Sequence, residues 1–284
     1  GDIARAFARA LALVTDAELV AVGSRTQAAA DAFGDLFGVR NRHASYQALA
    51  EDPEVDVVYV ATPHVLHAEN CVQCLRGGKA VLCEKPFTIN AREAEEVVRV
   101  AREEKRFLME AMFVRHLPLM RKIRELLESG VIGEVRLVQA SRCNRSTYPP
   151  AGRHMNLELG GGALLDVGIY PLAFASMAYG GKPPKKASGY AAFWPTGADG
   201  QGVLNLEYDH GALASLTYAL DTRNVDDARI LGTEGRILIP APFYGTTRAT
   251  LIVQGKDPVE VECPKGENDL IYQAVETMRC MREG

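Results

Sequence analysis

Two segments of the sequence carry ionisable side chains in positions where they could transfer a proton. Residues 83–87 lie at the end of an apolar run that predicts a buried strand. The ammonium of Lys85 would therefore lie at the carboxyl end of this strand. A later segment predicts a helix that carries Asp166 and Tyr170 four residues apart, so that both side chains share one face. An ammonium, a carboxylate and a phenol are groups that can carry out acid–base chemistry on a hydroxyl.

The helix that carries this carboxylate and phenol is predicted to start tightly and to be irregular. The glycines at residues 160–162 let it begin close to another backbone. Pro171 removes the helix hydrogen bond to Val167, and Gly168 leaves room for the distortion that follows. We therefore expect the two functional groups to lie on a distorted helix.

Gly1 directly precedes a predicted helix, which bears on nucleotide binding. A dinucleotide-binding unit has a strand and a glycine-rich turn before a helix, whose N-terminal N–H groups bind the pyrophosphate. Only the last piece is present here, so Gly1 is either part of such a cradle or a simple helix cap. We expect the chain to be a fragment, trimmed at both ends, that lacks the first strand of this domain.

Ser24 and Arg25 follow the predicted strand at residues 19–23. NAD-binding folds place a carboxylate about 20 residues past the glycine-rich turn, where it holds the ribose hydroxyls. A hydroxyl and a guanidinium instead suit a ribose 2′-phosphate, because Arg offers forked donors and a full charge. The pair therefore predicts NADP rather than NAD, with the start of a solvated loop as the alternative interpretation.

Polar residues also follow the predicted strand at residues 55–61. Thr62, Pro63 and His64 come directly after it, and His67 lies one turn later. Open α/β sheets bind ligands at the carboxyl ends of their strands, so we predict that these residues line the cofactor or the substrate. A purely structural role for either histidine is the alternative.

The composition excludes several classes of function. The 284-residue chain is 47% hydrophobic and 24% charged, with a formal net charge of -4, so it lacks the basic field that nucleic acid or an anionic membrane would need. No stretch approaches the roughly 18 apolar residues of a membrane span. Six cysteines without disulfide-dense spacing favour free thiols and a cytoplasmic location. Cys71 and Cys74 form an isolated C-x-x-C pair, which we interpret as helix packing, and we predict no metal site.

Residues 1–112 alternate short apolar runs with amphipathic segments, which indicates a Rossmann-type doubly wound parallel sheet. The predicted strands are residues 19–23, 55–61, 80–83 and 107–112, and the predicted helices are residues 3–14, 28–37, 65–76 and 91–104. Thr26, Ser45 and Asn90 stand where helix N-caps are expected, and Glu93 completes a capping box with Asn90.

Beyond residue 113 the pattern changes to that of an α+β domain with an open, mainly antiparallel sheet. Its predicted elements are a helix at residues 118–128, a strand at residues 135–141, the helix with the carboxylate and phenol, and several strands across residues 187–262. We therefore predict an α/β protein of two domains. Residues 1–114 form the dinucleotide-binding domain, and residues 115–284 form a substrate and dimerisation domain.

The order of these features resembles the Gfo/Idh/MocA oxidoreductase family over essentially the whole chain. The motifs that carry the resemblance are Gly1-x-Ile3-Ala4, Ser24-Arg25, Glu84-Lys85-Pro86, Met109-Glu110-Ala111-Met112-x-x-Arg115, Gly133-Glu134-Val135 and Gly161-Gly162-x-x-x-Asp166-x-Gly168-x-Tyr170. Each motif is modest alone, and in this order they are specific. Tyr170, where His is commoner in the family, and residues 108–111 most resemble the dimeric members that act on dihydrodiols and D-xylose.

The resemblance implies an oxidoreductase that transfers a hydride between NADP and the CH–OH group of a cyclic polyol, either a trans-dihydrodiol or an aldose such as D-xylose. It also implies a homodimer formed through the exposed face of the C-terminal sheet. Two alternatives are a non-catalytic regulatory member that binds NADP, and an NAD-dependent inositol or sugar dehydrogenase. Ser24, Arg25 and Tyr170 disfavour the second of these.

The resemblance also assigns roles to individual residues. The predicted cofactor-binding residues are Gly1, Ile3, Ala4, Ser24, Arg25, Thr62, Pro63, His64, His67, Glu84 and Lys85. The predicted catalytic residues are Lys85, Asp166 and Tyr170, and the predicted substrate-binding residues are Phe113, Arg115, Asn144, Asp166 and Tyr170. Residues 113–114 and 142–145 depart from the family pattern where the substrate is expected, so the resemblance implies the reaction type and leaves the substrate open.

Tyr170 is the predicted general base for oxidation and general acid for reduction. A free phenol has a pKa of about 10, so function near pH 7 requires a decrease of roughly three units, or about 4 kcal/mol. One ammonium about 4 Å away at an effective dielectric constant near 20 contributes roughly 4 kcal/mol, so Lys85 is sufficient in principle. Asp166 would oppose this effect if it touched the phenol, and we expect it to orient Lys85 or the substrate hydroxyl.

Overall fold

Strands and helices alternate through the first part of the chain. The computed structural model describes residues 1–223 and 225–283, and it divides into unit 1, Gly1–Met112 with Leu270–Gly284, and unit 2, Phe113–Asp269. The elements of unit 1 are α1 Asp2–Leu11, β1 Ala21–Gly23, α2 Gln27–Phe37, β2 Asn41–His43, α3 Tyr46–Ala50, β3 Val57–Val60, α4 His67–Arg76, β4 Ala80–Glu84, α5 Ala91–Glu103, β5 Leu108–Ala111 and α8 Ile271–Glu283.

The strands described in unit 1 pair in parallel. β1 pairs with β2, and β4 lies between β3 and β5. All five residues of β4 are buried, which is why this strand reads as a continuous apolar run in the sequence. The predicted Rossmann-type parallel sheet is confirmed. β2 and α3 escaped prediction because elements of three and five residues are too short to show a period.

Side chains cap three helices of unit 1 at the predicted positions. Thr26, Ser45 and Asn90 accept hydrogen bonds from the backbone N–H groups of Ala29, Ala48 and Glu93. Cys71 and Cys74 of α4 lie in one buried hydrophobic cluster with Val81 of β4 and Val97 of α5. Their side chains therefore pack in the core between helix and sheet.

The helix α8 packs in unit 1, whereas the sequence predicted residues 115–284 as one domain. Ala274 of α8 shares a hydrophobic cluster with Phe7 of α1 and Leu82 of β4. The units also divide two residues earlier than predicted. The sequence of an amphipathic helix predicts that the helix packs on an apolar surface. It does not identify that surface. Gly284, the last residue of the predicted domain, lies outside the described residues.

Unit 2 contains one eight-stranded sheet in the order β13-β12-β11-β10-β6-β9-β8-β7. β6 and β9 pair in parallel and the other neighbours pair antiparallel, which confirms the predicted mainly antiparallel sheet. The elements are α6 Pro118–Glu128, β6 Val135–Cys143, α7 Ile169–Ala178, β7 Lys186–Phe193, β8 Asp199–Glu207, β9 Leu213–Ala219, β10 Ala228–Gly232, β11 Gly235–Ile239, β12 Arg248–Val253 and β13 Val259–Glu262. The helix α7 packs on β6 and β9.

A π-helical turn, Leu164–Gly168, leads directly into α7, which confirms the predicted irregularity. Glycine is needed at Gly168 because a Cβ atom there would come within 3.0 Å of the Tyr218 ring on β9. The N–H of Leu164 donates to Oδ2 of Asp199 at 2.7 Å, so a side chain from β8 caps this turn. Burial raises the pKa of Asp199.

One segment of unit 2, Leu157–Ala178, is long and apolar enough to span a membrane by length and composition, with a mean hydropathy of 1.3. This corrects the prediction that no stretch approaches that length. However, 56% of its most apolar window is buried. The segment includes α7, which covers the sheet, so its apolar character is accounted for by packing within the protein. The cytoplasmic location stays a prediction.

Candidate active site

Glu84 and Lys85 close β4, at the edge where the carboxyl ends of β3, β4 and β5 meet. Glu84 is buried, and its Oε1 accepts a hydrogen bond from the hydroxyl of Tyr59. Its Oε2 accepts the backbone N–H of Lys85 at 3.1 Å. The Tyr59 ring stacks on Phe7 of α1, with 3.9 Å between centroids. Burial raises the pKa of Glu84.

These contacts give Glu84 a structural role at the turn, and the prediction that Glu84 binds the cofactor stays a prediction. Both carboxylate oxygens already accept hydrogen bonds within unit 1, so Glu84 positions the backbone from which Lys85 extends. Glu110 of β5 supports the same turn, because its Oε1 accepts the backbone N–H of Phe87 at 3.0 Å. The peptide bond between Lys85 and Pro86 is cis.

His67 holds the turn after β4 from the side of α4. Its Nδ1 lies 2.8 Å from the carbonyl oxygen of Pro86, and its Nε2 lies 2.9 Å from that of Thr62. The residue is 0% exposed, and burial lowers the pKa of its imidazole. The buried ring lies between two carbonyl oxygens and so has a structural role, and the prediction that His67 lines the cofactor stays a prediction. His64 is also largely buried, with its ring 5.7 Å from that of His67.

The other cofactor candidates of unit 1 lie at the start of α1 and at the ends of β1 and β3. Gly1 is the N-cap residue of α1, and no side chain among the described residues caps this helix start. Arg25 is exposed just after β1, where the N–H of Ser24 donates to the carbonyl of His43 at 3.0 Å. Ile3 and Pro63 are exposed, and Ala4 and Thr62 are half-buried.

This donor set fits a dinucleotide. Uncovered N–H groups at a helix N-terminus bind pyrophosphate, and a guanidinium after a parallel strand binds a phosphate on the ribose. The helix start after Gly1 suits the first role and the exposed Arg25 suits the second, and both assignments stay predictions. Lys85 adds a cation at the carboxyl end of a further strand of the same unit.

Asp166 is buried in unit 2 beside two basic side chains. It is 8% exposed, its Oδ1 accepts a hydrogen bond from Nη1 of Arg153 at 3.1 Å, and its Oδ2 lies 3.7 Å from Nε2 of His154. A guanidinium at this distance stabilises a carboxylate charge that burial would otherwise disfavour. The His154 ring packs on Tyr148, with 4.2 Å between centroids.

The ring of Tyr170 contacts two aromatic neighbours in unit 2. Its centroid lies 6.1 Å from that of Phe113 and 5.8 Å from that of Tyr244. The Cζ of Arg142 lies 4.2 Å from the Tyr244 centroid, so a cation stacks on this aromatic group. Phe113 was a predicted substrate residue, whereas Tyr244 was missed.

Asn144 and Arg115 complete the predicted residues of unit 2. The amide Nδ2 of Asn144 donates to the hydroxyl of Tyr148 at 3.3 Å, which joins it to the group around Asp166. Arg115 is half-buried in the short helix Phe113–His116. Lys85 belongs to unit 1 whereas Asp166 and Tyr170 belong to unit 2, and their joint action stays a prediction.

The residues that sequence reasoning missed carry no local signal. Arg153 lies 13 residues before Asp166, in a segment without helical or strand period, and His154 follows it. Tyr59 stands inside an apolar strand, where a buried aromatic residue is the ordinary interpretation. Tyr244 lies in a loop after β11, far from Tyr170 in the sequence. Only the contacts of the folded chain identify these four.

Family models match both parts of the chain. Residues 1–112 match the model described as oxidoreductase family, NAD-binding Rossmann fold, and residues 120–238 match the GFO/IDH/MocA C-terminal domain. This chain is a member of the Gfo/Idh/MocA oxidoreductase family. The predicted resemblance is thereby confirmed. The protein is an oxidoreductase, and unit 1 is the family's fold for binding a nicotinamide dinucleotide.

Several known proteins match along nearly the full chain. A trans-1,2-dihydrobenzene-1,2-diol dehydrogenase of Sus scrofa is 34% identical over 295 residues, which cover 100% of this chain and 87% of the relative. A 3-ketoreductase from Actinomadura kijaniata, solved with NADP and TDP-benzene, has a TM-score of 0.82 at 29% identity, covering 99% of this chain and 87% of that chain. A levoglucosan dehydrogenase has a TM-score of 0.91 at 18% identity, covering 100% and 88%, and shares the fold.

Proposed function

We propose that this family member is an NADP-dependent dehydrogenase acting on the CH–OH group of a cyclic polyol, a trans-dihydrodiol or an aldose such as D-xylose. The observation that carries the proposal is the setting of Tyr170. Its phenol lies beside Phe113 and Tyr244, on the helical segment that also holds the buried, cation-paired Asp166. The relatives named as dihydrodiol dehydrogenases support the same reaction type.

The chain's own residues handle the proton and the orientation of the substrate. When bound, the nicotinamide supplies the acceptor for the hydrogen that leaves the carbinol carbon. Tyr170 takes the hydroxyl proton in oxidation and returns it in reduction. We propose that the Lys85 ammonium favours the phenolate form of Tyr170. Asp166, held by Arg153, accepts a hydrogen bond from a substrate hydroxyl and so orients the carbinol.

The substrate class is tested by measuring NADPH formation at 340 nm with a panel of polyols. The panel contains trans-1,2-dihydrobenzene-1,2-diol, D-xylose, further aldoses and an inositol, each with NADP and with NAD. We expect turnover with the diol or the aldoses and a preference for NADP. Turnover confined to the inositol with NAD would favour the alternative sugar dehydrogenase, and NADP binding without turnover of any polyol would favour a regulatory protein.

The cofactor preference is expected to depend on Arg25. Arg25→Ala removes forked donors from the 2′-phosphate, so we expect the KM for NADP to rise about 10- to 100-fold while the KM for NAD changes little. Steady-state kinetics with both cofactors measure the two constants. Arg92→Ala, which removes an exposed Arg at the start of α5, serves as the matched control. An equal rise for both cofactors would assign Arg25 to general dinucleotide binding.

We propose further that the protein is a homodimer through the exposed face of its sheet in unit 2. All residues of β7 are exposed, Tyr190 is 86% exposed, and its cross-strand partner Val203 on β8 is 45% exposed. Exposed aromatic and apolar side chains on a sheet face are typical of an interface. Sedimentation analysis should give a dimer for the wild type and a monomer for Tyr190→Asp, whereas a monomeric wild type would exclude this interface.

The cytoplasmic location also belongs to this proposal. The six cysteines are free thiols, and Cys71, Cys74, Cys83 and Cys143 are buried. Free, buried thiols are typical of a reducing compartment.

A further inference from the structure

A guanidinium is held beside the aromatic side chain that flanks Tyr170. The Cζ of Arg142, on β6, lies 4.2 Å from the Tyr244 centroid, and that centroid lies 5.8 Å from the Tyr170 centroid. Tyr170 and Arg142 therefore contact the same aromatic group. In the proposed function Tyr170 acts on the reacting carbinol. Arg142 lies beside Tyr244, so we expect it to face a part of the substrate ring that is away from this carbinol.

Arg142 is fixed in this position by Asp226. Its Nη1 lies 3.1 Å from Oδ2 of Asp226, and the two side chains are 19% and 11% exposed. The other oxygen of Asp226 accepts the N–H of Cys143 at 2.7 Å, and its carbonyl accepts the N–H of Phe243 at 2.9 Å. Asp226 has a φ of 60°, a conformation that persists only where such contacts determine it. The guanidinium is therefore ordered before any ligand binds.

Among the described residues, one donor of Arg142 is left without a hydrogen-bond partner. A guanidinium has five N–H donors, and Asp226 accepts one of them from Nη1. The Nε of Arg142 is buried and has no hydrogen-bond partner among residues 1–223 and 225–283. Unpaired buried donors destabilise a site, and a guanidinium edge suits two neighbouring oxygen acceptors.

We propose that Arg142 is a specificity-determining residue that selects rings with hydroxyls away from the reacting carbinol, such as an aldose, over arene dihydrodiols. This inference rests on the proposed function and narrows its substrate class. The far side of a dihydrodiol ring carries only C–H groups. Such a ring would remove water from the Arg142–Asp226 pair without offering a hydrogen bond in return, whereas an aldose offers hydroxyl oxygens there.

The test compares kcat/KM for D-xylose and for trans-1,2-dihydrobenzene-1,2-diol with NADP. We expect Arg142→Met to lower the value for D-xylose about 10- to 100-fold and to leave the value for the diol unchanged or raised. Arg229→Met is the matched control, because Arg229 also pairs with an Asp of unit 2, Asp227 at 2.9 Å, and is exposed on β10. An equal loss on both substrates, or no loss, overturns the proposal.

Two further variants protect the test against misfolding. Arg142→Met leaves the Asp226 carboxylate without its cation, so the double variant Arg142→Met/Asp226→Asn is measured alongside it, with thermal unfolding to check the fold. Arg142→Lys keeps the charge and loses the fork, and we expect it to recover only part of the D-xylose activity. If Arg142→Lys recovered the full D-xylose activity, the positive charge alone would be sufficient. That result would overturn the proposal that the guanidinium binds two substrate oxygens.

A binding measurement distinguishes a failure of the proposed function from a failure of the inference about Arg142. A wild type that turns over neither substrate rejects the proposed function, and saturation-transfer NMR with D-xylose then decides the inference. A weaker D-xylose signal in Arg142→Met than in Arg229→Met supports it. Equal signals, or none with the wild type, overturn it.

Discussion

Replacing Tyr170 by Phe is expected to lower kcat at pH 7 about 100- to 10,000-fold, the range that positioned acid–base groups contribute. The substitution removes the hydroxyl and keeps the ring that contacts Phe113 and Tyr244, so the packing of unit 2 persists. Steady-state kinetics with D-xylose and the dihydrodiol measure kcat. Fluorescence titration with NADPH measures cofactor affinity, which should stay near that of the wild type.

Tyr179→Phe provides a control in the same helical region. The Tyr179 hydroxyl donates to the carbonyl of Leu213 at 2.6 Å, so its loss should reduce stability by about 1 kcal/mol and leave kcat unchanged. If Tyr170→Phe retained the wild-type kcat, Tyr170 would be rejected as the acid–base group. A loss of NADPH affinity as large as the loss of turnover would assign the hydroxyl to cofactor binding instead.

The pH dependence of Lys85→Met should report on the second predicted catalytic residue. If Lys85 favours the phenolate as proposed, the Lys85→Met variant should carry a phenol with the ordinary pKa of about 10, so oxidation at pH 7 should slow by up to about 1,000-fold. Because oxidation needs the phenolate, the rate should then rise about tenfold per pH unit until the pH reaches that pKa. Reduction needs the neutral phenol, so its activity should persist to higher pH than in the wild type.

The measurement is kcat against pH in both directions, between pH 6 and about 10.5, a range that brackets the free phenol. Lys105→Met, which removes an exposed ammonium from the loop after α5, is the matched control and should keep the wild-type profile. A Lys85→Met profile parallel to that of the wild type, with a higher KM for NADP, would show that Lys85 binds the cofactor and leaves the phenol unaffected. The distinction matters because Lys85 and Tyr170 belong to different units.

Local features of the sequence were enough to predict much of the scaffold. The caps at Thr26, Ser45 and Asn90 follow from side chains that bond N–H groups three residues later, so they need no distant partner. The same holds for the distorted helix, because Pro171 removes a bond within its own segment. The position of Lys85 after a fully buried strand likewise needed only a continuous apolar run.

Local sequence features could not predict which residues surround the functional side chains. Whether a histidine such as His67 faces a ligand or is enclosed by two backbone carbonyls depends on how separate segments meet. The packing of α8 within unit 1 likewise depends on apolar side chains that α1, β4 and β5 contribute together.

The amino-acid order was therefore sufficient for most of the helices, for the parallel and antiparallel sheets and for the family, because these have patterns that are visible along the chain. The catalytic roles of Lys85, Asp166 and Tyr170 stay predictions. The partners of those groups emerged only when the chain was folded. Arg153 contacts Asp166, and Tyr244 contacts Tyr170. In each pair the two residues belong to separate segments, and no repeating pattern in the sequence links these segments. Such contacts result from the burial of many side chains at once, and a window of neighbouring residues does not contain them.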